Sequence, residues 1–201
     1  LSDGHKVDTI LTPAAEDLVV FEYLDHVKEN AFEFVQGGHN LLIKGSTGNG
    51  KTCWATKIVR QYLMDTAISN GYKTRALFIN VPWFFSEMKH TISNPSKDFE
   101  KLREKCYEID LLVLDDIGAT NSSSDFIHDE LYAIVNTRND YKLSTIYTTN
   151  LSNTELSENL GARLSGRVLG SSETVEIKNK FNFRRPDEEF SFKKFCKKES
   201  K

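Results

Sequence analysis

The stretch Gly45-Ser46-Thr47-Gly48-Asn49-Gly50-Lys51-Thr52 constrains this chain more than any other, because it fits G-x-x-x-x-G-K-[ST] and lies between a strand candidate and a helix candidate. Residues 40–44 read as a buried strand that ends in the glycine turn, and Trp54, Ile58 and Tyr62 make an i, i+4, i+8 apolar stripe through the following segment. Glycines in such a turn let backbone N–H groups curl around an anion, and the helix start adds its partial positive charge. The pattern therefore predicts a phosphate cradle running from Gly45 through Cys53, with Cys53 itself a small packing residue beside Thr52.

The rest of the chain alternates in the way that such a cradle requires. With 201 residues, 39% apolar and 27% charged, it fits one compact domain with a sizeable core. Thr12-Pro13 offers a cap and a first-turn proline for one long helix carrying Leu18, Phe21, Leu24, Val27 and Phe32 as far as Gly37-Gly38. Residues 75–81 form a second strand candidate, and Pro82 opens a short helix with Trp83, Phe84, Phe85 and Met88. A polar loop at 93–96 and a charged helix at 97–107 follow. Residues 111–114 are a continuous apolar run, as expected of a strand covered on both faces. Ile127, Leu131, Ile134 and Val135 then mark the inner side of a helix, and residues 143–148 and 174–177 complete five strand candidates. Strands and helices in this order predict an α/β fold, a five-stranded parallel sheet between helices. The domain is expected to cover residues 1–185, and the lysine-rich stretch 186–201 to be a charged C-terminal tail.

Composition excludes several classes. No apolar run approaches the roughly 18 to 20 residues needed to span a bilayer. Cys53, Cys106 and Cys196 are odd in number and lack metal-ligand spacing, so a disulfide framework or zinc site has no support and a reducing, cytoplasmic setting is the default. The net charge of −3 leaves nucleic-acid binding to local patches. The chain opens on Leu1 with no signal segment, which suggests a fragment with more sequence upstream.

The chemistry converges on a nucleoside triphosphate. Lys51 would reach the β- and γ-phosphates of ATP, and the Thr52 hydroxyl would bind Mg²⁺. Asp115 and Asp116 follow the apolar run 111–114, with Asp115 placed to hold the Mg²⁺ hydration shell and Asp116 to polarise an attacking water as general base. The other reading of this pair is an acidic turn that caps the next segment. Asn150, in Thr148-Thr149-Asn150 at the end of the fourth strand, either orients water against the γ-phosphate or caps the segment starting near Ser152. Leu160, Leu164 and Val168 form one helical stripe, with Arg163 and Arg167 about 100° around from it. Such arginines are either solvated or, as an arginine finger, reach a phosphate bound by a neighbouring subunit.

From residue 40 to residue 183, through GSTGNGKT, LLVLDDIG, TTN and the Arg-x-x-x-Arg of GARLSGRV, the chain resembles the AAA+ ATPases of the bacterial replicative helicase-loader type (DnaC/DnaI-like), which are related to IstB-type transposition helper ATPases. The resemblance implies a P-loop AAA+ fold without a separate helical lid, an Mg²⁺-dependent ATPase cycling between ATP and ADP, and a role in DNA replication. It makes Asn150 the sensor, Arg167 the arginine finger and Arg163 a supporting residue. It implies a homo-oligomer with shared nucleotide sites and a replicative helicase as partner, contacted through a segment upstream of Leu1. Asp116 departs from the pattern by one methylene, since many such ATPases carry Glu there, which keeps a non-hydrolysing interaction module among the alternatives. A transposition helper and a small-metabolite kinase are the others. Single-stranded DNA is a further candidate partner: Lys89, His90, Lys97, Lys101, Arg103 and Lys105 lie near Trp83, Phe84 and Phe85, against the plainer reading of core aromatics beside a solvated helix in which Glu100, Glu104 and Glu108 are interleaved.

Overall fold

The structure is a computed structural model and describes Leu11 and residues 13–67, 75–119, 125–179 and 183. Thr12 and the charged tail at 186–201, with Cys196, lie outside the described residues.

The strands run over Leu41–Gly45 (β1), Ala76–Asn80 (β2), Leu111–Asp115 (β3), Ser144–Thr149 (β4) and Glu173–Ile177 (β5), each within a residue of the sequence expectation. They pair in parallel in the order β2-β3-β4-β1-β5. Parallel neighbours need crossovers, and the crossovers put helices on both faces of the sheet. These are Leu18–Glu29 (α1), Ala31–Gln36 (α2), Lys51–Ala67 (α3), Val81–Ser93 (α4), Lys97–Glu108 (α5), Asp125–Asp140 (α6) and Asn153–Ser171 (α7). After β5 no further helix follows among the described residues.

The period of two along each strand divides the core. Leu41, Ile43, Leu111, Val113 and Ile146 face α1, α2 and α3, where they meet Leu24, Trp54, Ile58 and Tyr62. Leu42, Leu112, Leu114 and Tyr147 face the other side and pack on Phe84, Met88, Leu131, Ile134, Leu160 and Val168. The central strands β3 and β4 are buried throughout, so the residues at their carboxyl ends are held on a rigid platform.

Two helical expectations change. The single long helix expected before Gly37-Gly38 is a 3-10 turn at Ala15–Asp17 followed by α1 and α2, broken at Asn30 with φ −112° and ψ 37°. The Asn30 Nδ2 donates to the His26 carbonyl at 2.8 Å, a local bond that competes with the helix. Phe21, Leu24 and Val27 are buried as the stripe requires, whereas Leu18 and Phe32 are exposed. The helix carrying Leu160, Leu164 and Val168 is also interrupted: Gly161 adopts φ 76° and ψ 155° inside α7. All three apolar residues are nonetheless buried.

Candidate nucleotide-binding site

β1 delivers the glycine loop at its carboxyl end, and α3 begins at Lys51. Gly45 has φ 145°, and a Cβ there would come within 2.2 Å of the Asn49 amide nitrogen and 2.5 Å of the Ile177 carbonyl oxygen. Only glycine fits where the loop folds back on itself. Asn49 Nδ2 donates to that same Ile177 carbonyl at 3.0 Å, tying the loop to the end of β5. Ser46 and Thr47 are exposed, Gly48 and Asn49 buried, and Lys51, Thr52 and Cys53 buried in the first turn of α3. Lys51 Nζ donates to the Gly45 and Ser46 carbonyls, both at 2.8 Å, and to Asn49 Oδ1 at 3.3 Å. The loop thus presents a buried cation beside an N-terminal helix turn, a combination that suits a polyphosphate.

The acidic residues meet this loop across the sheet. Thr52 Oγ1 donates to Asp115 Oδ1 at 2.9 Å, and Thr148 Oγ1 donates to the same oxygen at 2.7 Å. The Thr148 hydroxyl in turn accepts from the Asp116 backbone N–H at 3.0 Å. Thr148 therefore touches both acidic residues, bonding the side chain of Asp115 and the backbone of Asp116. Asp116 is half-buried with φ 59°, a left-handed conformation that Asp tolerates better than most residues.

Thr52 and Asp115 supply hard oxygen donors side by side, the chemistry that Mg²⁺ takes from a protein when phosphates complete its shell. No cluster of three or more His, Cys, Asp or Glu that could hold a metal is found among the described residues. Cys53 and Cys106 are buried free cysteines. Burial pushes the Cys106 thiol up to about 11, which keeps it protonated and unreactive.

Other sequence-selected residues are placed differently. Asn150 is exposed one residue beyond β4, and Thr148 occupies the position level with Asp115. Asn150 is not the cap of α7 either, since Ser152 and Glu155 form a reciprocal capping box there. Arg163 and Arg167 are exposed on the second half of α7. Phe84 and Phe85 are core residues, whereas Trp83 is 45% exposed and Lys89, His90, Lys97, Lys101 and Lys105 are exposed too. Arg103 is bonded to Glu130 at 3.3 Å.

Sequence reasoning missed Thr148 and also Lys44, a buried ammonium in β1 that donates to Asn153 Oδ1 at 2.7 Å and ties the loop strand to the start of α7. A separate cavity of about 580 Å³, lined in part by Tyr23, His26, His39 and Glu173, opens near the other ends of β1 and β5, away from the glycine loop.

Comparisons with known proteins bear on the family and the fold. A family model described as IstB-like ATP binding protein matches residues 25–188. The replicative helicase loader DnaC of Escherichia coli (strain K12) is 29% identical over 150 residues, 74% of this chain and 58% of its own length. An insertion sequence IS1162 putative ATP-binding protein from Pseudomonas fluorescens is 29% identical over 119 residues, 59% of this chain and 47% of that protein. The chain thus spans about half the length of the curated relatives it matches. Among solved structures, the DnaC helicase loader superposes with a TM-score of 0.70 at 23% identity over 86% of this chain and 96% of that one. AMPPCP-bound DnaA from Aquifex aeolicus gives 0.62 at 22% identity, over 86% of this chain and 50% of the other. At such identities the structures speak for the fold alone, which is that of AAA+ domains. No described helix is long and apolar enough to cross a membrane. With the family model covering most of its length, the chain belongs to the IstB-like ATP binding protein family.

Proposed function

We propose that this chain is the ATPase domain of a loader for a ring-shaped replicative DNA helicase, working in the cytoplasm as a homo-oligomer with nucleotide sites between subunits. The observation that carries the hydrolytic part is the Thr148 bridge, which holds Asp115 against Thr52 and fixes Asp116 next to it. In this reading the loop from Gly45 to Cys53 wraps the phosphates of ATP or ADP, and Lys51 neutralises the β- and γ-phosphates. Mg²⁺ held by Thr52 and Asp115 would supply charge stabilisation on the phosphates. Asp116 accepts a proton from the attacking water, which is left as the nucleophile, and Asn150, exposed at the rim, orients that water. Arg167, supported by Arg163, reaches the site of a neighbouring subunit.

The loader assignment is supported by the 74% of this chain that aligns with the helicase loader DnaC and by the likeness in fold to the same protein. The exposed side chains of Trp83, Lys89, His90 and Lys97 are the candidate contacts for single-stranded DNA. A second reading, a transposition helper, draws on the family match and on the IS1162 relative.

The test is delivery of the helicase from the source organism onto single-stranded DNA coated with binding protein. Wild type with ATP and Mg²⁺ should promote it. Asp116→Asn should bind ATP as wild type does but lose turnover by roughly 100-fold, the upper part of the range for a general base being 10⁴. Stimulation of the ATPase by a transposase, with no effect on helicase delivery, would move the assignment to the second reading.

A further inference from the structure

Arg163 and Arg167 do not simply project into solvent. The Arg163 guanidinium lies over the ring of Tyr132 on α6, 4.7 Å from the ring centre, within the range of a cation–π contact. Arg167 is one helical turn further on. The Arg167 and Arg163 guanidiniums together hold the Tyr132 phenol below its usual pKa, in keeping with two cations on the same side of α7 as the ring. Tyr132 is half-buried and packed against the core between α6 and α7. A half-buried ring therefore carries one exposed arginine, with a second exposed arginine one turn along the same helix.

The backbone is shaped for this contact. Gly161, two residues before Arg163, has φ 76° and ψ 155°, a region open almost exclusively to glycine. A Cβ at that position would meet nothing within 4 Å. Glycine is needed there for the bend and not for space, and the bend sets the direction of the half of α7 that bears both arginines.

We propose that Tyr132 is a positioning residue that sets the reach of the Arg163–Arg167 pair toward the nucleotide site of a second copy of this chain. The proposal rests on the reading of Arg167 as a residue that acts in trans. An arginine side chain loses considerable rotamer freedom when it is held in one place. Stacking Arg163 on the Tyr132 ring restricts that freedom and steadies the turn of α7 that bears Arg167 before subunits meet, so less is lost when a guanidinium engages the transferring phosphoryl group. Tyr132 itself touches no nucleotide in this scheme.

The experiment measures ATP turnover of the full chain across a protein titration for Tyr132→Ala, Tyr132→Phe, Arg167→Ala and Lys51→Ala, singly and mixed in pairs. Tyr132→Ala should lower kcat roughly 10-fold with KM for ATP within about two-fold, as misplacement of a group acting only in the transition state does. Tyr132→Phe keeps the stacking ring and should lose only about three-fold. Mixing Tyr132→Ala with Lys51→Ala should restore turnover, because the first keeps the loop and the second keeps Tyr132 and both arginines. Mixing Tyr132→Ala with Arg167→Ala should not, because both lesions lie on the donating side. Should Tyr132→Ala fold poorly, the same pattern in Tyr132→Phe carries the test. Unchanged kcat in both tyrosine variants, or rescue of Tyr132→Ala by Arg167→Ala, would overturn the role of Tyr132 and leave the shared-site reading standing. Full turnover by Arg167→Ala alone would overturn both.

Discussion

The two ends of the sheet bury polar side chains in opposite ways. Where the strands begin, Arg138 is fully buried and makes five hydrogen bonds: to the carbonyls of Cys106, Ile109, Asp110 and Ser144 and to Thr145 Oγ1. Burial lowers its pKa to about 10, still far above neutrality, so it remains a cation capping the carbonyl end of α5. Asn40 reinforces the same end by accepting from the Thr145 N–H at 2.7 Å and donating to Asn139 and the Ser171 carbonyl. Where the strands finish, Lys51 and Asp115 are held by carbonyls and hydroxyls of the loop and of β4. The difference lies in what could replace the partners. Backbone carbonyls at the first end have no competitor and serve only to fix the chain. A phosphate can take an ammonium from a carbonyl, and a metal ion can take a carboxylate from a hydroxyl, so the second end is held in a form that a nucleotide can remodel.

If this contrast is right, lesions at the two ends should separate stability from binding. The largest effect is expected from Arg138→Leu, which strands several buried carbonyls and should cost about 3 to 5 kcal/mol in denaturant unfolding. The fraction that remains folded should bind ATP as wild type does. Arg138→Lys keeps the charge but not the fork of donors and should fall between the two. Weakened ATP binding by folded Arg138→Leu would break the comparison.

Lys51→Ala is the mirror experiment. ATP affinity should drop at least roughly 100-fold, about 2.7 kcal/mol, while the unfolding midpoint stays close to that of wild type. An unchanged affinity in a calorimetric titration would remove the phosphate cradle as the binding site. Thr148→Val probes a residue that belongs to both worlds. It keeps the shape but leaves the Asp116 N–H without its acceptor, so a cost of about 1 to 3 kcal/mol in stability is expected, with turnover reduced more than ATP affinity.

The smallest effect concerns α7, the element that links the two ends through Asn153 at its start and Ser171 at its finish. Gly161→Ala puts a Cβ on a backbone that disfavours it by roughly 1 to 2 kcal/mol. Thermal melting with and without ATP would show whether that strain falls on the fold or is absorbed by a shift of the arginine-bearing half.

How much of this was legible in the sequence depended on how local the signal was. The glycine loop, the five strands and the acidic run are each set by contiguous residues, and each stands within a residue of its expected place. Arg138 was passed over, although it continues the buried stripe of Leu131, Ile134 and Val135 at helical spacing, and a charge on such a stripe must find partners inside. Thr148 was not legible in the same sense. Its role depends on the pairing of Leu114 with Tyr147, which brings Thr148 level with Asp115, and a long-range register leaves no mark in the local pattern. The break at Asn30 and the bend at Gly161 were hidden because apolar periodicity runs on across a single non-helical residue.

The strand order has a consequence for the order in which the molecule can assemble. β1 carries the glycine loop, yet both of its neighbours come late in the chain: Asn40 meets Thr145 across 105 residues. Buried Asp17 finds the Lys178 N–H across 161 residues, and the Phe183 N–H closes on the Gly48 carbonyl at 2.9 Å. The pairing of β2 with β3 spans far less chain and carries a smaller loop-closure cost. By this loop-closure argument the phosphate cradle is expected to complete late in folding, once both strands beside β1 have docked. Nucleotide should then slow unfolding without accelerating folding, since it can recognise only what the last step creates.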